Sequence, residues 1–285
     1  MIGIVILNYN DYETTINFLK QIRKYRCIDY ICIVDNASTD GSVEKLKPYC
    51  IDNVHIILLE ENDGYSSGNN SGIKFLVEEK ACQYIFVSNP DIEVEELAII
   101  NMVETINSDP TIALLGPTIH ENNAVNRGWK LPTILDDILA NLPLISKSTN
   151  KKLLYDESHY QSILSKVEVV SGCFFLIRAD VLEHINYFDE NTFLYYEENI
   201  LGKKLKDKRY QSYILNTTKV IHHHSISIDK NVAHLNKIKI LKESQRYYQK
   251  NYNNASFIGI IGLYITYYIY MVLSYITIAL KQVVK

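Results

Sequence analysis

Five short apolar runs, each ending in polar residues and separated from the next by a helix-patterned stretch, constrain this chain more than any other feature. "IGIVILN" (Ile2–Asn8), "YICIVDN" (Tyr30–Asn36), "VHIILLE" (Val54–Glu60), "YIFVSN" (Tyr84–Asn89) and "IALLGP" (Ile112–Pro117) are nearly continuous in apolar residues. That is the pattern of parallel strands covered on both faces. Between them, "YETTINFLKQIRKY", "GSVEKLKPYC", "NNSGIKFLVEEK" and "EELAIINMVETI" have helical character. Strand–helix alternation with right-handed crossovers predicts an open α/β sheet. Ligands of such sheets bind beyond the carboxyl ends of the strands. Chemistry is therefore expected at Asn8 and Tyr9, at Asp35 and Asn36, at Glu60 to Asp63, and at Asn89 to Asp91.

Several classes are set aside by what the chain lacks. A formal net charge of −4 offers no electrostatic footprint for nucleic acid. A dinucleotide fold wants G-x-G-x-x-G after the first strand, but "LNYNDYETT" has no glycine, and no G-x-x-x-x-G-K-[ST] occurs. Glycines come later, in "ENDGYSSGNNSG", where Gly64, Gly68 and Gly72 are spaced by four. Gly68 to Gly72 are expected to open a helix whose N–H groups face polar or anionic groups, or else to be turn glycines. The five cysteines are odd in number and lack metal-type spacing, which fits a reducing compartment. "MIGIVILNYN" has no basic n-region, so no signal peptide is expected there and the catalytic part is placed in the cytoplasm.

The second half is less regular. "KSTNKKLLYDESHYQS" (Lys147–Ser162) reads as a mobile polar surface loop. "VEVVSGCFFLIR" (Val167–Arg178) resumes a strand, "ADVLEHI" a helix, and "YILNTTKVIHHHS" extended chain. Lys237 to Asn251 reads as an amphipathic helix leading into "SFIGIIGLYITYYIYMVLSYITIAL" (Ser256–Leu280). At about 1.5 Å per residue this apolar segment spans roughly 38 Å, enough to cross a hydrocarbon core with tilt. Lys237, Lys239, Lys242, Arg246 and Lys250 precede it while Lys281 and Lys285 follow, which keeps the main domain on the cytoplasmic side. Tyrosines spread through the segment leave two alternatives: a helix lying in the membrane plane, or one buried in a subunit interface of a homodimer.

"VDNASTDGS", "NDGYSSGNNSGI", "SNPDI", "SGCFFLIR", "FDENTFLYYEENI" and "HHHSIS" follow one another in a fixed order. Taken together, they resemble the family 2 glycosyltransferases of GT-A fold, most closely their rhamnosyltransferase-like branch, over roughly residues 1–251. The resemblance implies a Rossmann-like, open, mixed and mostly parallel sheet flanked by helices, with a C-terminal apolar helix. It divides the chain into a nucleotide-sugar half (residues 1–115), an acceptor and catalytic half (116–235) and a membrane-associated part (236–285). It implies that Asn8 and Tyr9 cup the nucleotide base and that Asp35 contacts base or ribose. Asn62, Gly64, Gly68 and Asn69 would then line the sugar-nucleotide pocket.

"NPD" resembles the family's D-x-D metal motif, with Asp91 the carboxylate ligand to Mn²⁺ or Mg²⁺ and Asn89 bonding the ribose or an outer group. "HHHSIS" resembles H-x-x-[GS]-x-S, which implies His222 as a second metal ligand. On extended chain His222 and His224 share a face and His223 points away. "YYEEN" resembles the [YF]-E-D dyad, implying Glu198 as general base with Glu197 before it, though the family usually has Asp where Glu198 stands and another Asp where Ile200 stands. Read on their own, these acids are a solvated pair near a helix start. Gly172 would let a sugar approach the backbone, Arg127 would assist the diphosphate or the acceptor, and Asp189 would be a structural cap.

The expected activity is metal-dependent, inverting transfer of one sugar, rhamnose or another hexose. The donor would be a UDP- or dTDP-sugar and the acceptor a glycan, plausibly lipid-linked, at the cytoplasmic membrane face. The alternative is a sugar-nucleotide-binding scaffold without turnover, suggested by the relaxed "NPD" and "EENI" segments. A processive synthase is disfavoured, because "ESQRYYQ" is a poor match to Q-x-x-R-W.

Overall fold

A computed structural model describes the backbone of residues 1–122, 124–223 and 234–283, and their side chains except those of 234 and 276–283. The five apolar runs form β1 (Ile2–Asn8), β2 (Tyr30–Asp35), β3 (Val54–Leu58), β4 (Tyr84–Ser88) and β6 (Ile112–Glu121). Later come β5 (Ile92–Glu93), β7 (Ala124–Asn126), β8 (Leu164–Val167), β9 (Phe174–Arg178) and β10 (Gln211–His222). All belong to one sheet ordered β3-β2-β1-β4-β9-β6-β10-β5, with β7 beside β6 and β8 beside β10. Strands β3, β2, β1 and β4 are mutually parallel. Antiparallel β9 is inserted between β4 and β6, so the sheet is mixed beyond that point. Strand β6 crosses the 115/116 boundary, and the two halves share one sheet.

Strand alternation sends neighbouring residues to opposite faces, and both faces are covered. Ile4, Ile6, Ile31, Ile33 and Phe86 pack under α1 (Tyr12–Ile22) and α4 (Glu96–Ser108) through Phe18, Leu19, Ile22, Ile99 and Met102. Val5, Val34, Ile85 and Val87 face Ile73 and Leu76 after α3 (Tyr65–Lys74) has begun, and Leu182 of α7 (Ala179–His184). This double coverage is why the strands lack apolar–polar alternation.

Two expectations are corrected. Helix α3 opens after Gly64, whose φ of +96° suits glycine, and not at Gly68 to Gly72. Gly68 and Gly72 lie within the helix: a Cβ would come 2.4 Å from Leu7 Cδ1 at the first and 2.7 Å from Val5 Cγ1 at the second. Their spacing lets α3 sit close on β1 and β2. Lys147–Ser162 is also not loop throughout. It carries most of α6 (Ser146–Leu153) and a 3₁₀ turn, Glu157–Tyr160. Helix α6 reads as polar because Thr149 is its buried residue, and Tyr155 stacks on His159 with centroids 4.3 Å apart.

Pairing between β10 and β6 jumps from Leu215↔Pro117 to Lys219↔Thr118. Pro117 has no N–H to donate to the ladder, and the irregularity falls directly after it. Beyond it β10 continues to β5, pairing His222 with Ile92. Downstream, α9 (His234–Asn251) leads into α10 (Phe257–Val283), which packs on α5 (Ile134–Ala140). Gly259 and Gly262 permit this, their Cβ positions lying 2.8 Å and 3.0 Å from Ile134 and Ile138 side chains. Phe257–Tyr275 is long and apolar enough to cross a membrane by length and composition, with mean hydropathy 1.8 and 11% of it buried.

Candidate functional site

Strand β4 ends at Ser88, and the Asn-Pro-Asp that follows turns the chain into β5. The Asn89 N–H donates to the Cys173 carbonyl at 2.8 Å, and the His223 N–H to the Asp91 carbonyl at 2.9 Å. These two bonds fix the strand tip between β9 and β10. The Asp91 carboxylate is 6% exposed, with His222 Nε2 3.2 Å from its Oδ1. Glu121, at the end of β6, places Oε2 3.6 Å from His222 Nδ1. Burial works against charge on His222, but the bond to Asp91 and the charges of Asp91 and Glu121 outweigh it and raise its pKa. His223 faces elsewhere and meets Glu93 at 2.9 Å, as strand alternation requires, while His224 lies outside the described residues.

The carboxylate pair opens α8 (Glu197–Asp207). Before it, Tyr195 and Tyr196 both take left-handed backbone, φ +69° and +67°, an uncommon conformation for bulky residues. Glu197 is buried and its Oε2 has no hydrogen-bond partner. Glu198 Oε1 accepts from the Gly172 N–H at 3.3 Å. A Cβ on Gly172 would sit 2.9 Å from that oxygen, so glycine is what lets Glu198 approach. Burial holds both carboxyls above the usual carboxylate range, and the charge of Glu198 raises Glu197 further. Glu197 is therefore interior and Glu198 half-buried, unlike the solvated acids that the helix start alone suggests.

The segment 171–173 joins the two clusters. Gly172 meets Glu198 through its N–H and accepts from the half-buried Tyr65 hydroxyl at 2.7 Å, while Cys173 holds Asn89. Burial pushes the Cys173 thiol up to about 12, with Asp91, Glu198 and Glu121 adding to it. Those three carboxylates and the thiol thus share one electrostatic neighbourhood.

Along the same carboxyl edge of the parallel strands, Asn8 donates to Asp35 Oδ2 at 2.8 Å and accepts from Thr15 at 2.7 Å. Asp35 Oδ1 takes the Ser38 N–H at 2.9 Å. Tyr9, next along the chain, stays partly exposed beside them. Asn62 Oδ1 accepts from Asn36 at 2.8 Å and from the Gly64 N–H at 3.0 Å, bracing the turn into α3. Asn69 is buried and donates to the Tyr65 carbonyl. Arg127 pairs with Glu157 at 2.8 Å and stacks on Tyr160 at 4.5 Å. Asp189 accepts from Asn191 N–H at 2.9 Å and Tyr247 at 2.8 Å, and from Tyr252, a structural anchor for α9.

Sequence reasoning missed Glu121, Tyr65 and the paired left-handed tyrosines. No motif marks a Glu ten residues into a strand, and tyrosine has no propensity for left-handed backbone.

The chemistry of Asp91 and His222 suits a divalent cation. Asp91 Oδ1 is enclosed, and among the described residues the His222 ring is the donor group facing it. Among the described residues no group of three or more His, Cys, Asp or Glu is arranged around a common cation position. Two protein ligands leave room for phosphate oxygens and water, the habit of Mg²⁺ and Mn²⁺ in substrate-bridging sites.

Comparison with known proteins bears on the same region. The family profile described as glycosyl transferase family 2 matches residues 3–186. Low-salt glycan biosynthesis hexosyltransferase Agl10 of Haloferax volcanii is 28% identical over 69% of this chain and 59% of its own length. N-acetylglucosaminyl-diphospho-decaprenol L-rhamnosyltransferase of Mycobacterium tuberculosis is 23% identical over 71% of this chain and 69% of its own. Among solved structures, mannosyltransferase PcManGT from Pyrobaculum calidifontis, in complex with GDP-Man and Mn²⁺, superposes with TM-score 0.61 at 12% identity, covering 90% of this chain and 64% of that one. GalNAc-T7 with UDP, GalNAc and Mn²⁺ gives 0.60 at 15% identity, covering 87% and 49%. The chain spans less than two thirds of the length of Agl10 and of PcManGT. These structures share its GT-A fold: a mixed sheet flanked by helices.

Proposed function

This chain belongs to glycosyl transferase family 2, and from that premise we propose that it is an inverting, metal-dependent hexosyltransferase, rhamnosyl transfer being the leading case. The donor is a nucleotide diphosphate sugar, UDP- or dTDP-linked, and the acceptor a lipid-linked glycan at the cytoplasmic membrane face. One observation carries the reading: a carboxylate pair, Glu197 buried and Glu198 half-buried against the Gly172 N–H, shares a neighbourhood with the Asp91–His222 pair.

Glu198 is the general base. Burial raises its proton affinity, which suits removal of a proton from an acceptor hydroxyl. Gly172 keeps the base in register and leaves the backbone open to a sugar. Asn8, Tyr9 and Asp35 hold the nucleoside end, while Asn62, Gly64, Gly68 and Asn69 shape the wall below it by bracing α3. Asn89 orients the ribose side. Asp91 and His222 are the residues that would hold Mn²⁺ or Mg²⁺, which when bound neutralises the departing diphosphate. Arg127 pairs with Glu157, which is 86% exposed. Such a pair is worth at most about 1 kcal/mol, so Arg127 can turn to an anionic ligand at little cost.

The rhamnosyltransferase relative, named for a diphospho-decaprenol substrate, supports the lipid-linked acceptor. The apolar helix α10 supports attachment at a membrane. Transfer assays over a panel of nucleotide sugars test the proposal. Wild type is expected to turn over one of them with added Mn²⁺; Glu198→Gln is expected to bind donor without turnover, and Asp91→Ala to lose Mn²⁺-stimulated donor binding. Donor binding by wild type without turnover on any competent acceptor would mark a scaffold instead.

A further inference from the structure

A buried polar chain runs from the tail of the molecule to the opening of α8. Asp137, on α5, is 3% exposed. Its Oδ1 accepts from the Tyr196 hydroxyl at 2.5 Å and its Oδ2 from Gln249 Nε2 at 2.6 Å. Gln245, one turn earlier on α9, donates to the Tyr196 oxygen at 3.2 Å. Gln245 Oε1 in turn accepts from Asn141 at 3.1 Å, and Asn141 reaches Thr266 of α10 at 3.3 Å. Lys242 closes the chain on Asn141 Oδ1. Two helices outside the sheet, α5 and α9, therefore meet at one phenol, and α10 joins them through Thr266 and Asn141.

That phenol belongs to the residue directly before Glu197, and Tyr196 has φ +67°. A bulky side chain in left-handed backbone persists only where the surroundings over-determine it. Here they do, since a carboxylate and an amide, both buried, grip the far end of the side chain. None of these groups belongs to the Asp91–His222 pair or to the nucleoside end of the strands.

We propose that Asp137 and Tyr196 form a positioning device for the carboxylate pair. The grip on the phenol holds the left-handed turn that directs Glu197 and Glu198 inward, and α5, braced by α9 and α10, holds Asp137. Helix α10 is then a structural support of the site as well as an apolar attachment. This inference rests on the reading of Glu198 as the base.

The test uses the full chain in detergent, with a short soluble acceptor and a donor on which wild type turns over. Tyr196→Phe and Asp137→Asn are each expected to lower kcat by between about 10- and 100-fold, with donor KM unchanged, as for a displaced base. The double variant is expected to lose little more than the worse single one, because Tyr196→Phe removes and Asp137→Asn weakens the same contact. Should Tyr196→Phe fail to fold, Gln245→Met, which removes one donor to the phenol at similar volume, gives the same split at smaller size. Full kcat in Tyr196→Phe beside an inactive Glu198→Gln overturns the proposal alone. Losses that merely track the folded fraction, with kcat per folded molecule intact, also overturn it. An active Glu198→Gln overturns the base assignment and the proposal with it.

Discussion

Gly172 shows how much a single residue decides. Its N–H faces Glu198 at 3.3 Å and its carbonyl takes the Tyr65 hydroxyl. A methyl group there would lie 2.9 Å from Glu198 Oε1 and 3.1 Å from its Cγ, so the Glu198 side chain, the proposed base, must move. Gly172→Ala is expected to lower kcat by about 10-fold or more while the fold survives, since a misplaced catalytic group is costly even at 1 Å. Steady-state kinetics with circular dichroism as the folding control would check it. The sequence motifs pointed to Gly172 and Glu198 separately, and their contact is tertiary. Asp91 was legible as a carboxylate at a strand tip, but its burial beside His222 depends on a distant strand arriving in register.

At the scale of elements, strands β1 to β4 and β6 were readable because burial on both faces leaves an unbroken apolar run. Helix α3 was readable only in part. Its glycines suggested a ligand-facing N-terminus, whereas two of the three serve close packing on β1 and β2. Gly72→Val is therefore expected to destabilise the fold by about 1–3 kcal/mol, as overpacking does, measurable as a lower urea midpoint at unchanged m. Helix α5 carries a second prediction. Burial raises the Asp137 pKa to about 6 from an ordinary 3.8, against the lowering effects of Tyr196, Gln249, Gln245 and Lys242. As pH rises from about 4 to 6 the unfolded chain releases this proton first, so the native state loses up to roughly 3 kcal/mol. Below that window Asp137 is protonated in both states and has no effect; above it the loss is complete. Urea unfolding across this range should show that fall in wild type, and a flatter profile in Asp137→Asn.

For the whole molecule, the question is how one sheet and one apolar helix combine. Helix α10 exposes Phe257, Ile258, Ile265 and Tyr268 while its glycines seat it on α5. Replacing Ile258 and Ile265 by Asp should abolish co-sedimentation with lipid vesicles, since an acidic residue costs about 2.5–3.5 kcal/mol at mid-helix in a bilayer. Both positions lie on the exposed surface, so transfer to a soluble acceptor in detergent should persist; binding to vesicles as strong as wild type would refute membrane contact through this face. The sequence alone determined the strand–helix alternation, the tips where polar residues gather, the order of motifs and the apolar tail. These are local or periodic properties, set by which residues must leave water and by how often they recur along the chain. Only the tertiary structure decided that Glu197 is interior and Glu198 set against Gly172, that His222 meets Asp91 past an irregularity at Pro117, and that Asp137 holds Tyr196. Each of these contacts joins residues more than 50 positions apart, or depends on the dielectric around a charge, and neither is a property of any one segment.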